Sequence, residues 1–266
     1  MTRAVVLMDA HVHVYPGADA GALLDAAHRN FLASAAALDL PDWQGMLLLT
    51  ETCRDDWFNT GVAPDGRVGP WQLHRLPGDD ISLRAERDGK VLTLVAGRQI
   101  VTAERLEVHA IGTRTRIADG ANLERTLAAV DQAGAAGVLP WGVGKWTGAR
   151  GRLINALLAD PARNALPLSD NGGRPALWFD RRLAGRGGRP ILRGTDPLPL
   201  PGEERRVGES GFCLGGVVDP DRPGTWIRER LRSLRAAEVR TYGPPERFLR
   251  FLYNQVALRL RNRPEE

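Results

Sequence analysis

Apolar residues fall into short dense runs separated by longer one-sided stripes, the rhythm of strands alternating with helices. Val5-Val6-Leu7-Met8 is such a run, and it leads straight into Asp9-Ala10-His11-Val12-His13. Leu23, Ala27, Phe31, Ala35 and Leu38 then recur at spacings of four and three, which predicts a helix capped by Asp19 and stopped at Pro41. Met46-Leu47-Leu48-Leu49 predicts a second buried strand, ending in the charged stretch Thr50 to Asp56.

The pattern changes after that stretch. Trp71–Arg75, Ile81–Glu86 and Val91–Val95 are β-like runs split by the turns Pro77-Gly78-Asp79-Asp80 and Asp88-Gly89. Residues 68–104 therefore read as a small antiparallel meander inserted in the main fold. Gly97–Val101 and Leu106–Gly112 are further strand candidates, and Leu123, Leu127 and Val130 mark a helix ended by Gly134. Gly137-Val138-Leu139, Leu166-Pro167-Leu168 and Pro190–Arg193 predict later strands. Leu153, Ile154, Leu157 and Leu158 predict a helix between the first two of these, and Trp178, Phe179 and Leu183 a short one before the third. A helix near Trp226 to Leu234, a strand at Val239 to Tyr242 and a final helix from about Pro245 complete the chain. That last helix carries Phe248, Leu249, Phe251, Leu252, Val256 and Leu260. Alternating strands and helices predict a parallel sheet with right-handed crossovers. The strand count and a length of 266 residues predict one α/β domain over 1–266, a TIM-like (β/α) barrel, with an open doubly wound sheet as the competitor.

Composition narrows the class. Hydrophobic content of 43% and charged content of 26% are those of an ordinary globular chain. A net charge of +4 spread along the chain, with no basic stripe interleaved with aromatics, argues against a nucleic-acid partner. Two distant cysteines, Cys53 and Cys213, suit a reducing compartment. With no signal-peptide pattern and no membrane-length apolar run, the expected location is cytoplasmic, without a membrane partner.

Candidate chemistry collects after the strands. Residues i and i+2 of a strand point the same way, so His11 and His13 would aim both imidazoles at one spot; a frayed strand end is the plainer reading. Completing a Zn, Mn or Fe centre needs a carboxylate from a late strand. Asp196, in Gly194-Thr195-Asp196-Pro197, fits that role, or else simply holds its turn. Asp170 and Glu51 are candidate bases, although Asp170 could instead shape the Asn171-Gly172-Gly173 turn and Glu51 could pair with Arg54. Lys145 and Arg150, in a glycine-rich loop before a helix, favour an anionic ligand, with Arg174 and Arg54 as further cations. The loop is no Walker A motif, because Trp146 stands where Ser or Thr is required.

Through Asp9-Ala10-His11-Val12-His13 and Gly194-Thr195-Asp196, the chain resembles the PHP and amidohydrolase groups of metal-dependent hydrolases. The stretch Gly97 to Gly112, with His109, is similar to the PHP segment that holds a ligand Glu and then a His. The resemblance implies a distorted (β/α) barrel. It also implies a divalent metal on His11, His13 and Asp196, assisted by Glu51, His109 or Asp170, and hydrolysis of a phosphoester or other anionic small molecule. The family pattern is incomplete here. Gln99 stands at the ligand Glu position, Trp141 at a strand-end His, and Leu198 where a further His follows. The competing reading is thus an inactive PHP-like barrel that holds no metal and binds a ligand or partner without turnover. Oligomeric state is not legible at this level.

Overall fold

The computed structural model describes residues 4–184 and 188–261. In its first half, β1 (Val5–Val12), α1 (Ala20–Ala37) and β2 (Trp43–Leu49) are followed by α2 (Trp57–Thr60) and a run of strands. These are β3 (Arg67–Val68), β4 (Trp71–Leu76), β5 (Asp79–Arg87), β6 (Lys90–Val95), β7 (Gly97–Val101) and β8 (Glu107–Ile111). The second half alternates α3 (Leu123–Gln132), β9 (Ala136–Pro140), α4 (Gly148–Ala159), β10 (Leu168–Asn171), β11 (Ile191–Gly194) and β12 (Gly211–Gly215). It ends with α5 (Pro223–Ser233), β13 (Arg240–Tyr242) and α6 (Phe248–Arg261).

These strands form two mixed sheets, and the expected barrel is not built. One sheet has eight strands in the order β13-β12-β1-β2-β6-β5-β4-β3; the other has five, β11-β10-β9-β8-β7. Among the strands of the described residues, β1–β2, β2–β6, β9–β10 and β10–β11 pair in parallel and the other pairs are antiparallel. A (β/α) barrel needs a helical crossover after nearly every strand; here the 67–111 stretch runs through hairpins instead. The fold is a sheet-rich α+β arrangement, and the resemblance to PHP and amidohydrolase barrels, with the hydrolase label that rested on it, fails on this topology. The meander is also corrected. Its strand β6 pairs in parallel with β2, Gly45 opposite Leu92 and Leu48 opposite Val95, so it continues the main sheet rather than decorating it. Irregular chain over 178–180 and a turn from Arg181 replace the expected short helix at Trp178–Leu183, while β12, antiparallel to β1, escaped the apolar pattern.

Three apolar layers hold the sheets. Leu7, Leu47, Leu83 and Leu92 pack under α1 through Leu23, Leu24 and Phe31. Met8, Met46, Ile111, Val138 and Leu192 fill the space between the sheets, closed by Ile227 and Leu231 of α5. Leu139, Ile154 and Leu168 lie outside the small sheet under α3 and α4. The sheets also meet at two backbone seams: Asp196 N–H donates to the His11 carbonyl at 2.9 Å, and Gln99 N–H to the Glu51 carbonyl at 2.8 Å. The first seam requires glycine on β11. A Cβ at Gly194 would lie 2.4 Å from the His11 backbone nitrogen.

Among the described residues, no helix is long and apolar enough to cross a membrane.

Candidate metal centre

A bulge aims the two histidines. The register of β1 on β2 shifts between Asp9 and Val12. Before the shift Met8 and Ala10 face the layer between the sheets, whereas Val12 faces the α1 side. The extra residue turns His11 and His13 toward the small sheet, a recurrent use of bulges beside functional sites. Asp9 secures the geometry. Its carboxylate is fully buried and accepts from Thr195 N–H (2.9 Å), Thr195 Oγ1 (2.5 Å), Gly208 N–H (2.9 Å) and His11 N–H (3.2 Å). Burial still pushes its pKa up to about 6 despite those donors. Asp9 thus ties the His strand to the strand that carries Asp196.

Three donors converge there. His11 Nε2 and His13 Nε2 are 2.9 Å apart, and Asp196 Oδ1 lies 3.3 Å from the first and 3.7 Å from the second. Among the described residues this is the grouping with metal-ligand geometry, its ligand atoms all within 4.8 Å of one another. Asp196 adopts φ +48°, a left-handed conformation that costs a non-glycine residue energy and is concentrated at functional sites. Asn171 Nδ2 donates to its second oxygen at 2.8 Å. Both histidines are almost wholly buried. Burial holds His11 down to about 4, with Glu107 opposing and Lys145 assisting; burial and then His11 hold His13 down to about 4. Neutral imidazoles with bare ring nitrogens are what a cation requires. Burial raises the Asp196 carboxyl, and His13 and Lys145 pull it back.

A second tier stands on β7 and β8. Gln99 and His109 are cross-strand partners, and the His109 ring lies edge-on to His11, centroids 4.3 Å apart. Glu107 accepts from Lys145 Nζ and, at 3.5 Å, from Gln99 Nε2. A carboxylate only accepts, so the Gln99 oxygen must face His109 Nε2 at 3.1 Å, and that nitrogen donates. His109 Nδ1 is then a bare acceptor, buried and without a partner; the Nδ1 atoms of His11 and His13 are buried without a partner too, and they carry the ring proton when Nε2 is free for a cation. Tyr15 stacks on His13 at 5.2 Å, its pKa raised by burial and then by Asp196 and Asp55.

The other expected site residues lie elsewhere. Glu51 accepts from Phe58 N–H at 2.6 Å and from Arg98 Nη1 at 2.9 Å, both within the interior. Asp170 is gripped by both arms of Arg174 at 2.7 Å. Neither carboxylate has a free edge for base work. Arg174 is thereby spent, Arg150 binds the Gly144 carbonyl at 2.9 Å, and Arg54 is exposed. Of the predicted cations, Lys145 reaches the histidines. Glu107, Gln99, Tyr15 and Asp9 are the members the sequence reading left out as site residues. Glu107 and His109 do alternate on an apolar strand, a visible signal, but their partner Gln99 emerges only with the hairpin pairing.

Neither a protein-family model nor a curated protein matches the chain. Among solved structures, the crystal structure of PsfC from Pseudomonas syringae PB-5123 is similar, with a TM-score of 0.55 and 17% sequence identity. The match covers 98% of this chain and 99% of that one. At that identity the likeness speaks for the fold, over its whole length.

Proposed function

We propose that this protein is a metal-dependent enzyme acting on a small anionic molecule, with His11, His13 and Asp196 as the metal ligands. The observation that supports this reading is the convergence of two buried neutral imidazoles and one strained carboxylate from strands about 185 residues apart in the chain (196 − 11). Two imidazoles and a carboxylate form the ligand set both of zinc sites that activate water and of open ferrous sites. A divalent cation held there supplies Lewis acidity toward a bound oxyanion. The chain's own residues do the rest. Lys145 offsets negative charge at the rim, and its bond to Glu107 is the contact an incoming anion would compete for. Gln99 fixes the tautomer of His109 beside His11. Tyr15 covers His13 and narrows the approach of water.

Elemental analysis of purified protein tests the proposal, followed by turnover of a panel of phosphoesters and carboxylic esters with and without added Zn, Mn or Fe. One equivalent of metal, lost in His11→Ala together with turnover, supports it. Metal-free protein that binds anions through Lys145 without turnover would make the chain a binding module and overturn the enzyme reading.

A further inference from the structure

The C-terminal helix is amphipathic the wrong way round for a lone chain. Phe251 and Asn254 are its buried residues, while Phe248, Leu252, Val256 and Leu260 form an exposed ridge with spacing i, i+4, i+8, i+12. Leu249 and Tyr253 flank the ridge, 80% and 69% exposed. The patch continues onto the neighbouring loop, where Leu177 is 82% exposed and Phe179 66%, and a 420 Å³ pocket opens between Pro175, Trp178 and Phe248. A contiguous apolar surface of this kind marks an interaction site.

We infer that this face binds a second copy of the same chain, helix α6 against helix α6 across a two-fold axis. Three observations select that occupant. From the fractional exposures, the patch offers roughly 1,000 Å² of surface per copy, the size of a stable homodimer interface rather than of a transient contact. Its composition is Leu, Phe, Trp, Tyr and Val with arginine at the edge, and α6 contains no Asp, Glu or Lys, which matches the core of a protein interface. An isologous interface must also be self-complementary. A two-fold axis passing between Leu252 and Val256 sets those residues on each other and Phe248 on Leu260. Such i±4 ridges interlock when two helices cross at about −50°.

Sedimentation velocity on the full chain from about 1 to about 100 µM tests the inference. A dimer is expected, converted to monomer by Val256→Arg and by Leu260→Glu, each with an unchanged circular dichroism spectrum because both side chains are exposed in the single chain. A wild-type protein that stays monomeric throughout, or a dimer indifferent to both variants, overturns it. A monomer that co-sediments with phosphatidylglycerol vesicles, but not with phosphatidylcholine vesicles, would also overturn it and give the face to an anionic lipid surface instead.

Discussion

Asp196 and Glu51 are both acidic residues just beyond the end of a buried strand, yet the fold employs them in opposite ways. Glu51 is 2% exposed and completely answered, by a guanidinium on one side and a backbone N–H on the other. Asp196 keeps an oxygen turned toward two imidazoles that cannot balance its charge, since burial keeps both neutral. A carboxylate facing an arginine is a strut; one facing two neutral imidazoles is a candidate ligand, as the proposed function has it. The difference lies in the neighbours, because the residue type and the position after a strand are alike. Asp170, clasped by Arg174, belongs with Glu51.

Substitutions can test that contrast. Glu51→Ala should have the largest effect on stability, about 3 kcal/mol or more, because it leaves the buried Phe58 N–H without its acceptor and takes from the buried Arg98 one of its two carboxylates, Asp56 remaining at 2.7 Å; chemical denaturation measures it, and metal content of the folded fraction should be unchanged. His13→Ala should do the reverse. Metal affinity should fall by more than about 100-fold, beyond what loss of an outer partner costs, while the apoprotein loses less stability than in Glu51→Ala, because the lost ring is neutral and leaves a cavity rather than an unanswered buried polar group. A Glu51→Ala protein that folds normally but loses its metal would erase the distinction.

Acid should weaken the metal-free protein. His11 and His13 stay neutral in the fold down to about 4, whereas in the unfolded chain they protonate near 6.5. The unfolded state therefore binds more protons between those values, and stability falls as pH drops from about 6.5 to about 4. Asp9 acts with the opposite sign. Its folded pKa of about 6 against an ordinary 3.8 gives a contribution present below 3.8 and lost as pH rises through 6. His109, held well below the usual imidazole range by burial, adds to the two histidines, while Asp196 and Glu51, raised by burial, add to Asp9. The three imidazoles carry the larger shifts, so urea midpoints should decline from pH 7 to pH 4.5, and a flat profile would contradict the burial of the histidines.

Gly194→Ala should cost about 1–3 kcal/mol and loosen metal binding together, since the new methyl must push β11 off His11. An isothermal titration with the metal shows whether the two losses are coupled. Lys145→Met should have the smallest effect, leaving metal content intact and raising KM for an anionic substrate about tenfold. An unchanged KM would place anion recognition elsewhere.

Much of the local structure is written in the chain. The stripe Leu23, Ala27, Phe31, Ala35 and the cap Asp19 delimit α1 to within two residues, and Leu123 and Gly134 mark the two ends of α3 as expected. The architecture was misread because β4, β5 and β6 carry the same short alternating runs whether they form an appended ribbon or the flank of the main sheet. Nothing in Val91–Val95 announces that it pairs with β2.

The sequence by itself offered the candidates for binding a cation: His11 and His13, two residues apart after an apolar run, and Asp196 in a tight turn, with Glu51, His109 and Asp170 beside them. Periodicity and side-chain chemistry are local properties, and they survive in any fold. The tertiary structure decided which acids are spent on arginines and which way a bulged strand turns its imidazoles. It also decided that Gln99, Glu107 and His109 stand behind them, because strand pairing and burial depend on partners that lie tens to hundreds of residues away.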